Sequence, residues 1–551
     1  MPMTAMGKRS LLRSADMNRD LLLRIGIKDM VFSGTGTLTD THNTIKLPIS
    51  WVSEMTRIEH IAMIAHDMGL IFEFLGVASL LPFLVLVVFR EWDLVLPMAT
   101  APATFLLLGY AISHLPYRDI EPSFSITISA VALAWLAIAF IGALPFVFGL
   151  NMSYTDAVFE AMSGWTSTGF TMITSLDTTP HTLLFWRSLS QWVGGIGIIA
   201  FGISLHRKTR LSLFRLYRAE GREEELVSAT ASTGRRMWMI YLVLTFAFTG
   251  LIMLAGIPLW DSLNLVMVAI ATGGFTLHAG GLAYYNNPML EALLIPVMLC
   301  GAVPFKIFFF LYNGKVRRMF QDRTVMVLLF IAFIGSLITS LDLFIFSDIA
   351  FLAALRQGTF MAVAGLCTCG LANSDPHAWA VIPLAVVTMM MFIGGAMGST
   401  AGGVKVNRII MVYEGMKWWF RRFFVSSRVM VPLRFGGRTV SKELSEVAIS
   451  RNLLVIVMYV LTIFIATILT LHLYITSFRL EEVVFELVSA LSNVGLSVGF
   501  ISPASPVSIK WLFTLLMWLG TLEIVPVVII VMGLIKGIQN DLADNTPPEH
   551  L

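Results

Sequence analysis

About ten apolar runs, each long enough to cross a lipid bilayer, constrain this chain more than any other feature. A spanning helix needs roughly 20 residues, and the runs lie at 64–89, 93–114, 124–149, 183–205, 237–258, 287–313, 323–346, 381–411, 449–475 and 509–538. Only 13% of the 551 residues are charged, whereas soluble proteins carry about 25%. The sequence therefore predicts an all-α integral membrane protein that crosses the lipid bilayer about ten times.

Lys and Arg are unevenly distributed over the segments that connect the runs. Eight lie in 206–236 and seven in 412–448. The segments without Lys or Arg are 166–182, 272–286, 366–380 and 492–508. By the positive-inside rule the basic segments are cytoplasmic. Ten spans then place both termini in the cytoplasm, in a multi-pass protein of the plasma (inner) membrane.

Composition argues against several classes of function. The net charge of +3 is too small to indicate a nucleic-acid partner, and Cys300, Cys367 and Cys369 provide neither a disulfide framework nor a four-ligand zinc signature. The sequence has no nucleophile–base pair, metal-ligand cluster or nucleotide-binding loop. A membrane enzyme or receptor is therefore disfavoured, and we expect no nucleotide site in this chain.

One pattern of about 12 residues recurs four times between spans. The copies are VFEAMSGWTSTG (158–169), SLNLVMVAIATG (262–273), TFMAVAGLCTCG (359–370) and VFELVSALSNVG (484–495). Each apolar half is too short to span, and each copy ends in small residues and a glycine. Because non-helical backbone at membrane depth must be buried in protein or line a water-filled cavity, each copy predicts a pore helix followed by a filter.

The repeat predicts four tandem span–pore helix–filter–span units around a central pore, plus two extra N-terminal spans. The predicted segments are a polar basic cytoplasmic N-terminus (1–62), the two extra spans (63–120), pore repeats 1 (121–215), 2 (216–314), 3 with a gating loop (315–420) and 4 (421–538), and a cytoplasmic tail (539–551).

The small residues at the end of each copy suit a cation filter. Rings of backbone carbonyls replace the water of a dehydrated cation, and glycine permits the unusual φ/ψ values that this requires. The final glycines of the four copies are Gly169, Gly273, Gly370 and Gly495. The predicted filter residues are Thr166, Ser167, Thr168, Gly169, Ala271, Thr272, Gly273, Gly274, Cys367, Thr368, Cys369, Gly370, Asn493, Val494 and Gly495.

A glycine-rich stretch interrupts the 381–411 run. Five glycines lie in ten residues, and each costs about 1 kcal/mol relative to alanine in a helix. We interpret the break as an intramembrane gating loop beneath the filter; the alternative is a tight helix-packing seam. The loop residues are Gly394, Gly395, Gly398, Ser399, Thr400, Gly402, Gly403, Lys405 and Arg408.

Ionisable and sulfur side chains leave several alternatives open. Glu160 and Glu486, at matching places in two pore helices, either brace the filter or raise the local cation concentration. Lys405 and Arg408 either anchor the gating loop or repel cations at the inner mouth, and Glu523 is a candidate partner for one of them. Cys367 and Cys369 are small filter residues or, with less support, a metal site.

Several motifs resemble the Trk/Ktr/HKT superfamily of potassium transporters, most closely its Trk-type membrane subunit (TrkH/TrkG). They are SGWTSTGFT (163–171), QWVGGIGII (191–199), LYRAE (216–220), ATGGFT (271–276), FIGGAMGSTAGGVKVNRI (392–409), LSNVGLSVG (491–499) and GTLEIVP (520–526). The resemblance implies K⁺ as the transported ion, a homodimer and a cytosolic nucleotide-binding gating subunit of the TrkA-like type. In the family, glycine in all four filter loops goes with K⁺ preference.

Two departures from the family leave selectivity open. The third filter reads CTCGL (367–371), where relatives have a Thr-rich run followed by Gly-Tyr, and Thr521 stands where Arg is common. A less selective K⁺/Na⁺ uniporter or cation symporter is the alternative function. The basic segments 206–236 and 412–448 are either the docking surface for the gating subunit or a solvated cytoplasmic face.

Overall fold

The computed structural model describes residues 31–33, 37–39, 44–46, 49–116, 124–196, 230–312, 314–347, 349–424, 433–435, 438–440, 442–524 and 527. Several predictions fall wholly or partly outside these residues. They concern most of 1–62, the 206–236 segment up to residue 229, the LYRAE motif, the ends of the 183–205 and 509–538 runs, and the 539–551 tail.

Helices dominate the described residues. They are α1 Ile49–Ala78, α2 Pro82–Phe89, α3 Val95–Ser113, α4 Phe124–Gly142, α5 Leu144–Leu150, α6 Tyr154–Trp165, α7 His181–Ile196, α8 Thr230–Met253, α9 Leu259–Ile270, α10 Pro288–Ala302, α11 Phe305–Tyr312, α12 Val316–Gln321, α13 Arg323–Phe346, α14 Phe351–Leu366, α15 Val381–Ile393, α16 Val406–Phe423, α17 Lys442–Leu473, α18 Leu480–Leu491 and α19 Val507–Thr521. The predicted helical membrane architecture is confirmed.

Strands within the described residues are confined to two small antiparallel sheets in polar segments. The strands are β1 Val31–Ser33, β2 Thr37–Thr39, β3 Thr44–Lys46, β4 Leu433–Phe435 and β5 Arg438–Val440. Strand β2 pairs with β1 (Val31 opposite Thr39) and with β3, while β4 and β5 form a hairpin (Leu433 opposite Val440).

Among the described residues, five helical stretches are long and apolar enough to cross a bilayer: Ala65–Phe89, Trp92–Ser113, Ala130–Leu150, Arg323–Phe346 and Ile449–Leu473. The bent pair α10 and α11 counts as a sixth if it is one span. The count of ten spans stays a prediction. Helix α1 begins at Ile49, inside the segment expected to be a polar terminus.

Eight of these helices form a closed ring. Helices α6, α7, α9, α10, α14, α15, α18 and α19 each pack on the next in this order, and α19 packs back on α6. The predicted pore helices α6, α9, α14 and α18 therefore alternate with the helices that follow them. This arrangement brings the C-terminal ends of four short helices around one axis.

The remaining long helices lie outside the ring. Helix α4 packs on α6, α8 on α9, α13 on α14 and α17 on α18. The N-terminal helices add to one side only, since α1 packs on α3 and α4, and α2 packs on α7. Each of α6, α9, α14 and α18 thus packs both on a long helix outside the ring and on the ring helix that follows it in sequence.

Candidate cation pathway

The four short helices of the ring end in the same backbone form. We call the segments that follow them turns 1 to 4: residues 166–169, 271–274, 367–370 and 492–495. In each turn the third residue donates its N–H to a carbonyl five residues back, as Thr168 does to Ser163 at 2.8 Å and Cys369 to Ala364 at 2.8 Å. This is the 6→1 hydrogen bond of a Schellman motif.

The second residue of each turn adopts a left-handed conformation without being glycine. The residues are Ser167, Thr272, Thr368 and Asn493, with φ of 52° to 53°. Such a conformation costs roughly 1–2 kcal/mol in a residue with a Cβ, but here the side chain has a use. Ser167 donates to the carbonyl of Gln191 at 3.0 Å, and Asn493 donates to the carbonyl of Met517 at 2.8 Å.

The fourth residue of each turn is a glycine, and the four glycines close a second, inner ring. Their φ values are also positive: Gly169 120°, Gly274 90°, Gly370 71° and Gly495 86°. A Cβ built on each would collide with a backbone carbonyl of the next turn. In ring order these carbonyls belong to Gly273 (2.5 Å), Cys369 (2.7 Å), Val494 and Thr168. No larger residue fits at these places without displacing the backbone.

The alignment of the second copy was wrong by one residue. Gly274, not Gly273, has the position of Gly169, because helix α9 ends at Ile270 and its cap is Ala271. The quartets that correspond are therefore TSTG, ATGG, CTCG and SNVG. Gly273 takes the place of Thr168, and its carbonyl accepts a hydrogen bond from the buried Gln191 amide at 2.8 Å.

A fully buried ion pair supports turn 1. Glu160 in α6 accepts from the N–H of Met172 at 2.6 Å and from the guanidinium of Arg187 at 2.7 Å. Arg187 also donates to the carbonyl of Thr276 at 2.9 Å, and its guanidinium lies 3.9 Å from the ring centre of Phe275. The carboxylate thus holds the chain that follows turn 1, and its arginine reaches the chain that follows turn 2.

Glu486 holds turn 4 and has no cationic partner among the described residues. One carboxylate oxygen accepts from Ser497 Oγ at 2.5 Å and from the N–H groups of Val498 and Phe500 at 2.9 and 3.1 Å. The place of Arg187 is taken by Phe513, seven residues before Gly520 as Arg187 is before Gly194. Of the two roles considered for these glutamates, the geometry favours bracing.

The 381–411 run is broken as the glycines predict. Helix α15 ends at Ile393 and α16 begins at Val406, and we call residues 394–405 the intramembrane loop. The loop folds on itself, because a Cβ on Gly394 would strike the carbonyl of Gly402 and one on Gly403 would lie 2.7 Å from Gly394 Cα.

The intramembrane loop lies against the inner side of the turns. Thr400 Oγ1 shares its one proton between the carbonyls of Ile270 at 3.0 Å and Gly301 at 2.9 Å, and the N–H of Gly402 donates to Thr368 Oγ1 at 2.7 Å. A Cβ on Gly402 would also strike the carbonyl of Ser492. The loop therefore contacts the residues around turns 2, 3 and 4 at once.

A cavity of about 60 Å³ remains between turn 1 and the loop. Its lining includes Thr166 and Ser167 of turn 1, Asn493 of turn 4, Gly398, Ser399, Thr400, Gly402 and Lys405 of the intramembrane loop, and Glu523 after α19. A cavity needs a volume of roughly 10–15 Å³ to hold one water molecule. The cavity therefore has room for a small ion with a few waters.

Two charged residues, Lys405 and Glu523, are among those that line the cavity. Arg408 donates to the carboxylate of Glu523 and, at 2.8 Å, to the carbonyl of Val404, and Lys405 Nζ donates to the carbonyl of Ala401. The partner considered for Glu523 is thus Arg408. Both cations hold the loop's own backbone, which is the anchoring role of the two that the sequence left open.

In turn 3, the sulfur and the backbone carbonyl of Cys369 contact different parts of the structure. Cys369 Sγ lies 3.8 Å from the carbonyl of Ala269 in α9, while its own carbonyl belongs to the inner ring. Cys367 is the buried cap of α14. No group of three metal-ligating side chains is found among the described residues.

Sequence reasoning missed several supporting residues. Gln191 and Arg187 are fully buried polar residues of α7, and Ser492 opens turn 4, where its Oγ meets the hydroxyl of Tyr459 at 2.8 Å. The signal for the first two was present: an amide and a guanidinium lie three and seven residues before Gly194, in a helix whose other buried polar residues are only Thr and Ser.

Comparisons with known proteins agree with this geometry. The profile of the TrkH family, described as cation transport proteins, matches residues 103–536. An uncharacterized cation transporter of Methanocaldococcus jannaschii is 29% identical over 473 residues, which cover 85% of this chain and 94% of that protein. The Trk system potassium uptake protein TrkH of Halomonas elongata is 28% identical over 494 residues, which cover 85% of this chain and 98% of that protein.

A solved structure shows the same fold. The crystal structure of the potassium transporter TrkH from Vibrio parahaemolyticus superposes with a TM-score of 0.74 at 26% identity, over 85% of this chain and 98% of that one. Since the family profile covers most of the chain, and the solved relative shares its helical arrangement, this chain belongs to the TrkH family of cation transport proteins.

Proposed function

We propose that this protein takes up K⁺ across the plasma membrane through a filter made of turns 1 to 4. The observation that carries the proposal is the inner ring, in which four glycines bring backbone carbonyls of neighbouring turns to one axis. Carbonyl rings substitute for the hydration shell of a cation. The helix C-termini that end at the turns add the negative ends of their dipoles. The relatives named as potassium uptake proteins support K⁺ as the ion.

We further propose that the intramembrane loop is the gate. It lies beneath the turns and is held by hydrogen bonds from Thr400 and Gly402 and by the Arg408–Glu523 pair. Opening requires that these contacts break together. A cytosolic nucleotide-binding subunit, docked on the basic segments 206–236 and 412–448, and a homodimer are the partners that fit this arrangement.

The less selective K⁺/Na⁺ pathway remains the second candidate because of the CTCG sequence in turn 3. The contacts of Cys369 argue against it, since its sulfur points to Ala269 and leaves the ring to the backbone carbonyl.

The test is ⁸⁶Rb⁺ uptake into proteoliposomes, competed with K⁺ and then with Na⁺. We expect K⁺ to block uptake and Na⁺ to fail, and Gly169→Ser to weaken this contrast because its Cβ meets Gly273 O. Gly256→Ser is the matched control, since Gly256 also has positive φ (82°) but nothing within 4 Å of the added Cβ. Equal competition by K⁺ and Na⁺ in the unaltered protein would favour the second candidate.

A further inference from the structure

An apolar groove of about 520 Å³ lies between helices α8 and α11, away from the inner ring. Its lining is Met239, Ile240, Val243, Leu244, Phe308, Phe309, Leu311 and Tyr312. Many of these side chains are well exposed, Val243 at 66% and Tyr312 at 83%. In a membrane protein such a surface faces lipid.

A break in the helix pair α10 and α11 creates the groove. Val303 is extended (ψ 152°), as expected for a residue before proline, and the two helices meet at an angle of 103°. Helix α11 therefore leaves the direction of α10 and forms one wall of a notch whose other wall is α8. A straight span would have filled this space.

Basic side chains lie at one end of the groove. The chain turns at Gly314, two residues after Tyr312, and α12 packs on α11. Lys315, Arg317 and Arg318 are exposed there, and none of the three forms an ion pair with a described residue. An apolar notch with a cationic end on the cytoplasmic side complements an acyl chain joined to an anionic headgroup.

The groove also connects to the intramembrane loop. The N–H of Phe305, the first residue of α11, donates to the carbonyl of Gly398 at 3.0 Å, and Ala302 at the end of α10 accepts from the N–H of Ala396 at 2.9 Å. The Phe305 ring packs on Tyr241 of α8, with 6.3 Å between the ring centres. A change in the spacing of α8 and α11 thus reaches the loop through one hydrogen bond.

We propose that this groove binds one anionic phospholipid, with an acyl chain between α8 and α11 and its phosphate at Lys315, Arg317 and Arg318, and that the bound lipid biases the intramembrane loop. The binding site stands on the groove and its charges alone. The effect on the loop rests on the gating role proposed above.

The test measures retention of phosphatidylglycerol and phosphatidylcholine with matched acyl chains by native mass spectrometry of the purified full chain. We expect one phosphatidylglycerol to be retained preferentially. The triple variant Lys315→Gln, Arg317→Gln and Arg318→Gln should bind it about 100-fold more weakly, at about fivefold per charge. Lys417→Gln, Arg421→Gln and Arg422→Gln on α16 remove the same charge elsewhere and should leave binding unchanged.

Val243→Trp tests the apolar part of the site. It should displace the lipid. Val457→Trp places the same side chain at an exposed position of a different helix, α17 (Val457 is 52% exposed), and should not displace it. Equal retention of both lipids, or unchanged retention in the triple variant, overturns the proposal. So does a change from dimer to monomer in Val243→Trp with lipid retention intact, because the groove would then be an interface between two copies.

A transport arm separates this proposal from the proposed function. Uptake of ⁸⁶Rb⁺ should differ between phosphatidylglycerol and phosphatidylcholine liposomes, and the triple variant should lose that difference. K⁺-selective uptake without preferential lipid binding overturns the lipid site alone. Preferential lipid binding with flux that is equally blocked by K⁺ and Na⁺ overturns the K⁺ filter and leaves the site standing.

Discussion

Glu160 and Glu486 occupy the same place in two repeats but differ in charge balance, and this difference is testable. Glu160→Gln leaves the buried Arg187 without a counter-ion, and removal of one partner of a buried pair costs about 3–5 kcal/mol. Glu486→Gln leaves no buried cation unpaired and keeps an oxygen for Val498 and Phe500, so we expect a loss of about 1 kcal/mol. Thermal unfolding of the two purified variants measures the contrast.

The double variant Glu160→Gln and Arg187→Met is the control for the stability loss expected in Glu160→Gln. It removes both charges together, so it should recover part of the stability that Glu160→Gln loses. Equal midpoints for Glu160→Gln and Glu486→Gln would mean that the hydrogen bonds to the backbone, rather than the ion pair, stabilise turn 1.

Residue patterns predicted the positions of the turns and the loop, but not all of their register or partners. Glycine content alone located the break at Gly394, because helical glycine is costly whatever surrounds it. The choice between Gly273 and Gly274 depended on where α9 ends, and two adjacent glycines leave that open. The partner of Glu160 is Arg187, 27 residues later in a different helix. A sequence pattern does not show which residues of two packed helices come into contact.

At the scale of elements, three of the four helices that follow the turns carry a glycine against the preceding short helix. A Cβ on Gly194, Gly301 or Gly520 would strike the last helical carbonyl of α6, α9 or α18, that of Ile270 at 2.7 Å from Gly301. The helix that follows α14 instead breaks at Gly394. Three of these helices are thus packed tightly on the preceding short helix, and the fourth is interrupted.

Thr400→Val tests whether the loop is held closed. The single hydroxyl proton of Thr400 is shared between two backbone carbonyls, and loss of this hydrogen bond, at about 0.5–1.5 kcal/mol, corresponds to a roughly 2- to 10-fold shift towards a released loop. We therefore expect faster ⁸⁶Rb⁺ uptake by the chain alone in proteoliposomes.

Thr388→Val is the matched control for the loop. Its hydroxyl bonds only to the carbonyl of Leu384 in its own helix, so uptake should be unchanged. Unaltered uptake in both variants would mean that the loop does not limit flux, and that the break in the helix serves packing instead.

At the scale of the whole molecule, polar contacts join each predicted repeat to the next around the ring. Arg187 reaches Thr276 between repeats 1 and 2, Glu291 pairs with Arg356 at 2.5 Å between repeats 2 and 3, and His377 lies 2.9 Å from Glu482 between repeats 3 and 4. Lys510 closes the ring on Asp156 at 2.5 Å, across 354 residues of sequence.

Lys510→Met tests whether this last contact closes the inner ring. The Lys510 side chain is only 6% exposed, and loss of a hydrogen bond to a charged group costs about 1.5–3 kcal/mol. Because Gly495 of turn 4 faces Thr168 of turn 1 at the same junction, we expect a lower unfolding midpoint together with weaker K⁺-over-Na⁺ competition in ⁸⁶Rb⁺ uptake. Asp177→Asn, which alters the exposed contact with His278 between repeats 1 and 2, should change neither. If Lys510→Met behaves like Asp177→Asn, packing of α19 on α6 closes the ring without the ion pair.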